Sequence, residues 1–343
     1  MQTVAFWNNK GGTGKTSLAF QSICSYANKN KGKRILVIDA CPQANLSELL
    51  LGGLEGKGAD NLLRRQGENV RATLGGYFQK RLPSPFNTES LTYELCFDFL
   101  TRPSTFNEYI PENIELICGD PLLELQSNAV STLANTQIPG SNTWISIIDW
   151  VKDFIQICHD KYDICFIDTN PSFSIYTQMS LAASDKLIMP VMADDSSRRA
   201  LMNAFSLIYS LKLPSDIYAR YAFRTKLEEA NRSLPKVHLL VKNRMTQYMT
   251  DASGYAAVLN SIEDEISSLI KTHKDYFSFT NINDGLVSVR DFQTTGVVAF
   301  ARGCPFYQLK PGKPSIQGKR IQINQTNIDN VTNAIDQLVN KLC

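Results

Sequence analysis

The run Lys10-Gly11-Gly12-Thr13-Gly14-Lys15-Thr16 constrains this chain more than any other feature. It follows a short apolar stretch, Val4-Ala5-Phe6-Trp7, that reads as a buried strand ending at Asn8. It then opens a helical stripe formed by Ala19, Phe20, Ile23, Cys24 and Ala27. A strand, a glycine-rich turn and a helix in that order make an anion cradle. Glycines let backbone N–H groups wrap a phosphate chain without a Cβ clash, and the helix N-terminus adds a favourable dipole. Lys15 is placed to reach the β- and γ-phosphates, and the Thr16 hydroxyl to bind Mg²⁺. Gly11, Gly12, Thr13, Gly14, Lys15, Thr16 and Ser17 are therefore the candidate phosphate-binding residues.

Further apolar runs have the same continuous character. They are Ile35–Ile38, Ile114–Ile117, Ile164–Ile167, Leu187–Val191 and Val237–Val241, with helical stretches between. Strands that are apolar on both sides belong to a mostly parallel sheet covered on both faces, which predicts an α/β fold. Ligands in such folds sit beyond the carboxyl ends of the strands, where this chain places Asn8, Asp39, Asp168 and Asn243. The 343 residues read as one domain, with a segment near 52–112 that lacks a clear strand and is expected to be an insertion beside the core. The terminal stripe of Ile328, Val331, Ile335, Leu338, Val339 and Leu342 predicts a core helix.

The charge balance is 35 Lys+Arg against 33 Asp+Glu, so any polyanion site must be a local patch. No apolar run reaches the roughly 18 residues that cross a bilayer. Met1 to Trp7 lacks the basic region and cleavage site of a signal peptide. The eight cysteines form no CxxC pair and are expected to be reduced thiols, which points to a cytoplasmic protein without a membrane partner.

The loop departs from the common GxxxxGK[ST] form, carrying Asn9 in place of the first glycine and adding Lys10. In this KGGTGKT form it resembles the deviant Walker A ATPases of the ParA/MinD family, closest to the ParA-type partition ATPases. Asp39-Ala40-Cys41-Pro42-Gln43-Ala44-Asn45 is similar to that family's switch I, D-x-D-P-Q-x-N. The stretch from Tyr162-Asp163 to Asp168-Thr169-Asn170-Pro171-Ser172 is similar to its Walker B and switch II. Asp185–Val191 matches the strand that follows. Asn243 stands where the family reads adenine, and Arg290-Asp291 resembles the loop on the base side. The resemblance covers most of the chain apart from residues 52–112.

It implies a P-loop fold, ATP and Mg²⁺ as ligands, and a homodimer that sandwiches two nucleotides. By the resemblance Lys10 is the signature lysine that contacts phosphates bound to the other subunit. Lys15 serves the phosphates in its own subunit, Thr16 and Asp168 hold Mg²⁺, and Asp39 does related work beside the metal. ATP then becomes part of the interface, and dimerisation a readout of the γ-phosphate. The implied function is a switch for DNA partition or for positioning a cargo, with hydrolysis stimulated by a ParB-like partner protein. A MinD-like positioning ATPase, an iron-protein-like carrier and a ligase-type enzyme remain open on the same fold.

Two features qualify that expectation. Cys41 stands where the family carries the second switch I aspartate, the carboxylate that orients or activates the attacking water. An ordinary thiol is a weak partner and is mostly protonated at neutral pH, so slow hydrolysis is expected unless a group such as Asp39 takes over. Residues 292–328 contain no Asp or Glu, yet hold Arg302, Lys310, Lys313, Lys319 and Arg320 with Phe300, Phe306 and Tyr307 interleaved. That stretch is the candidate contact for non-specific DNA. The three histidines are scattered, and His238, inside an apolar strand, is expected to be a packed residue and not a ligand.

Overall fold

A computed structural model describes residues 1–89, 91–245 and 253–342. Seven parallel strands form one sheet, in the order β3-β2-β4-β1-β5-β6-β7. They are β1 (Gln2–Phe6), β2 (Ile35–Ala40), β3 (Ile114–Ile117), β4 (Ile164–Thr169), β5 (Lys186–Val191), β6 (Lys236–Met245) and β7 (Leu286–Arg290). Parallel neighbours need crossover connections, and helices supply them on both faces of the sheet. Successive side chains point to opposite faces, so β1 sends Val4 and Phe6 into one apolar cluster and Ala5 into the other, where Trp7 follows. This is the α/β sheet that the apolar runs predict. The strand missed in the sequence is β7, whose pattern of burial alternates because Ser288 and Arg290 face solvent at the sheet edge.

Residues 52–112 contain helices Gly58–Gln66, Leu74–Arg81 and Tyr93–Phe97, and no strand among the described residues. The segment is not set beside the core, however. Leu74, Tyr77, Phe78 and Phe99 are buried in the larger cluster, with Tyr77 edge-on to Phe154 at 5.1 Å and Phe78 edge-on to Trp150 at 5.4 Å. Leu74, Tyr77 and Phe78 lie on the helix Leu74–Arg81, so the connection between β2 and β3 itself supplies part of the core.

The last helix, Gln325–Asn340, buries Ile328, Val331, Ile335, Leu338 and Val339 as its spacing predicts, so its stripe belongs to the core. Among the described residues no helix is long and apolar enough to cross a membrane. The seven described cysteines are buried and free, and Cys343 lies outside the described residues. His238 is half-buried, its ring bridging Ser278 Oγ at 2.6 Å and the Lys341 carbonyl at 2.8 Å. Those contacts join β6 to the end of the chain.

Candidate nucleotide and metal site

The phosphate loop leaves β1 at Trp7 and enters the first helix, Lys15–Lys29. Asn8 is fully buried, and its side-chain amide donates to the Pro190 carbonyl at 2.6 Å, tying the loop's start to the end of β5. Asn9, the residue that replaces a glycine, donates to the Pro171 carbonyl at 3.2 Å and also meets Asn203. Its side chain therefore connects the loop to the turn after β4. Gly14 needs its lack of a side chain twice over. Its φ is +84°, and a Cβ there would run into the Asn243 amide. Gly11 and Gly12 lie exposed with open space around them, as a surface awaiting a phosphate chain requires.

The two lysines of the loop diverge. Lys15 is buried, and its ammonium donates to the loop's own carbonyls, Lys10 at 3.1 Å and Asn8 at 3.4 Å. Burial lowers its pKa, partly offset by the Asp168 and Cys41 side chains. Lys10 points instead at the next helix, Asp195–Tyr209. It donates to both carboxylate oxygens of Asp194, at 2.7 and 2.8 Å, and to Ser197 Oγ at 3.0 Å. Asp194 is the N-cap of that helix, accepting from the Ser197 N–H at 2.8 Å. Burial alone would raise the Asp194 pKa, but Lys10 and the capping bonds hold it well below the ordinary carboxylate range. An Asp after a strand, followed by Ser and a helical stretch, is a capping pattern; its distance of 184 residues from Lys10 hides the pairing from the sequence.

At the ends of β2 and β4, Asp39 and Asp168 stand in register beside each other, both fully buried. Thr16 Oγ1 donates to Asp168 Oδ2 at 2.7 Å, while Asp168 Oδ1 is buried without a partner. Both carboxylates are pushed up, Asp39 to about 6 and Asp168 to about 7. Burial is the main cause in each, and the Asp39 charge adds to it at Asp168. Two adjacent buried carboxylates, an orphaned oxygen and a threonine hydroxyl are the donor set of a hard divalent cation, so the residues fit Mg²⁺. Asp39 is held differently from Asp168. Its Oδ1 accepts from the Cys41 N–H at 3.1 Å, and its Oδ2 from Ser47 N–H at 2.9 Å and Ser47 Oγ at 2.7 Å.

The raised values carry a sign. Between the unfolded value near 4 and the folded values near 6 and 7, the native state holds more protons than the unfolded chain. Stability of the metal-free protein should therefore fall as pH rises from about 4 to 7, then level off. Melting curves in EDTA at stepped pH check this, and Asp168→Asn should flatten the dependence.

Cys41 is buried, and its thiol is pushed up to about 12 by burial, with Asp39 and Asp168 adding to the effect. It is a neutral thiol at physiological pH. Beside the loop, a cleft is lined by Gly14, Ser17, Asn243, Arg244, Asp291, Phe292, Gln293, Gly296, Val297 and Phe300. Asn243 donates to the Thr13 carbonyl at 2.8 Å and keeps a buried Oδ1 unpartnered. Arg290, expected here, is exposed at the end of β7 and is not among the described residues lining the cleft; Arg244 is. The register of β6 against β7 shifts between Lys242 and Met245, where the exposed Arg244 has φ +56°.

The family described as "AAA domain" matches residues 1–214, a range that includes the phosphate loop. The chain belongs to the ParA-type family of partition ATPases. The virulence plasmid ParA family protein pGP5-D of Chlamydia muridarum is 25% identical over 308 residues, 81% of this chain and 97% of that protein. The cell division protein PomZ of Myxococcus xanthus is 25% identical over 210 residues, 60% of this chain and 51% of PomZ. Among solved structures, a McdA variant from Cyanothece in complex with ATP superposes with a TM-score of 0.56 at 15% identity, covering 99% of this chain and 96% of that one. A plasmid partition protein from Borrelia burgdorferi bound to AMPPNP gives 0.53 at 15% identity, with 99% of each chain covered. These structures share the fold of this chain.

The basic stretch divides. Lys310, Lys313, Lys319 and Arg320 are exposed, the last two on a short hairpin of Ser315–Ile316 with Lys319–Arg320. Arg302 is half-buried and paired with Glu55 at 3.1 Å. The interleaved aromatics pack against the core, with Phe300 and Tyr307 partly buried. Phe306 is buried, meeting Phe292 at 4.8 Å and Phe300 at 6.3 Å, and Tyr307 packs beside the first helix. That cluster seats the helix Gln293–Arg302 on the core.

Proposed function

We propose that this chain is an ATP-switched ParA-type ATPase. It binds ATP with Mg²⁺, pairs with a second copy through Lys10, and uses the paired state to partition DNA or position a cargo. The divergence of the two lysines carries the reading. Lys15 lies over its own loop and is available to the nucleotide there, while the Lys10 ammonium reaches outward to Asp194 and Ser197 and leaves the shaping of the loop to the Lys10 backbone, whose carbonyl accepts from Lys15. A cation held at the mouth of the site by an exchangeable ion pair can transfer to a phosphate chain presented by another subunit. Thr16 and Asp168 would hold Mg²⁺, with Asp39 acting through the metal's water shell, and Asn243, Arg244 and Asp291 would frame the base. When bound, Mg²⁺ supplies charge neutralisation of the phosphates.

Hydrolysis is slow without a partner in this reading. Cys41 carries a neutral thiol, and Asp39, the alternative base, has both oxygens engaged by N–H and O–H donors. A ParB-like protein that contributes or repositions a group would then set the lifetime of the paired state. Equilibrium binding of a fluorescent ATP analogue, with Mg²⁺ and with EDTA, tests the first step. Affinity that does not depend on Mg²⁺ contradicts the assigned metal residues.

DNA contact, in this reading, rests on the four exposed cations. Replacing Lys319 and Arg320 by alanine should lower the slope of log affinity against log salt by about 2, because each phosphate contact contributes about 0.9. Fluorescence anisotropy of a labelled duplex at stepped salt measures it, and an unchanged slope removes the hairpin from the interface.

A further inference from the structure

Ser47 is fully buried in the short helix Asn45–Leu50 that follows the switch I residues. A buried hydroxyl must find partners, and this one joins three parts of the fold. It donates to Asp39 Oδ2 at 2.7 Å, at the end of β2. It accepts from the Gly119 N–H at 2.9 Å, just past the end of β3. Its own backbone N–H donates to the same Asp39 oxygen at 2.9 Å.

The contact at Gly119 continues outward. Asp120 is fully buried and accepts from Arg71 at 2.5 and 2.7 Å and from Thr73 Oγ1 at 2.5 Å. Leu74 N–H also donates to the Cys118 carbonyl at 2.8 Å. Residues 71–74 are thus bolted to the turn whose N–H meets Ser47. Through one hydroxyl the carboxylate beside the metal residues is connected to the 52–112 segment.

We propose that Ser47 is a positioning residue for the Mg²⁺–nucleotide site. Its hydroxyl fixes the Asp39 carboxylate against the end of β3, in the orientation from which Asp39 faces the metal's water shell. The proposal rests on the ATP–Mg²⁺ reading above. It also gives the segment 52–112 a part in that site, because a shift of residues 71–74 would be passed through Asp120, Gly119 and Ser47 to Asp39. Partners that orient a metal's surroundings without touching it commonly change metal affinity by about 10–100-fold when removed.

The test compares Ser47→Ala, Ser47→Cys and Ser47→Thr in the full chain. The readouts are binding of a fluorescent ATP analogue in EDTA, its Mg²⁺ titration, and the melting temperature. The expected result is a Mg²⁺ midpoint raised about 10–100-fold for Ala and Cys, a near-natural midpoint for Thr, and unchanged binding in EDTA for all three. Cys keeps the volume with a weak donor, so it carries the test if Ala does not fold. A folded Ala or Cys variant with a natural Mg²⁺ midpoint overturns the proposal. So does a loss that is equal in EDTA and in Mg²⁺, or a failure of Thr to rescue. If the natural protein itself shows no Mg²⁺-dependent binding, the underlying reading fails first and the proposal with it.

Discussion

Cys41→Asp is expected to raise the single-turnover rate of ATP hydrolysis by about 10²–10⁴-fold, the range that one positioned general base or acid contributes. The natural thiol is buried and neutral, so it cannot take a proton from water at physiological pH. Its backbone N–H already holds Asp39 Oδ1 at 3.1 Å, so a carboxylate placed there begins in a position set by the same turn. The substitution carries a cost. A third carboxylate beside Asp39 and Asp168, whose pKa values are already pushed up to about 6 and 7, should destabilise the metal-free protein. The variant should therefore melt lower in EDTA and regain stability with Mg²⁺ and nucleotide. Rapid-quench measurement with enzyme in excess over ATP reads the rate, and no gain over the natural protein refutes the assignment of slow hydrolysis to Cys41.

Lys15→Ala has the second large expected effect, on binding. The ammonium is buried and hydrogen-bonded to loop carbonyls, so it is already desolvated and pre-placed before nucleotide arrives. Removing one partner of a buried, hydrogen-bonded charge pair costs about 2–5 kcal/mol. At 1.4 kcal/mol per tenfold, affinity for the ATP analogue should fall by between roughly 30-fold and several thousand-fold. The apo fold should survive at some cost, because Lys10 is partly exposed and its carbonyl can turn to water, whereas the fully buried Asn8 loses a partner for its carbonyl. Isothermal titration calorimetry gives the affinity directly, and a change below threefold would contradict the placement of Lys15 at the phosphates.

What the sequence makes legible is local. The phosphate loop is a contiguous run with a chemical reason for each residue, and the six apolar strands carry runs of buried apolar residues, so both are readable from neighbours alone. The relationships that set the site are long-range. Lys10 and Asp194 are 184 residues apart, and Thr16 and Asp168 are 152 apart. β7 is obscured by alternation at a sheet edge, and no local signal shows that Arg244 lines the cleft while Arg290 does not. The 52–112 segment looks peripheral because it has no strand among its described residues. Its apolar residues are spaced for short helices, and only the fold shows that Tyr77, Phe78 and Phe99 complete the core. Ser47 gives no signal by type, since a serine one turn into a short helix is ordinary until Asp39 and Gly119 are seen on either side.

The central claim is that Lys10 joins two copies of this chain through ATP. Its most direct test is the mass in solution by size-exclusion chromatography with light scattering, for the natural protein and Lys10→Ala, each with and without ATP and Mg²⁺. The account predicts that nucleotide doubles the mass of the natural protein and leaves Lys10→Ala monomeric, although that variant still binds ATP. A natural protein that binds nucleotide and stays monomeric, or a Lys10→Ala variant that dimerises equally well, would contradict it.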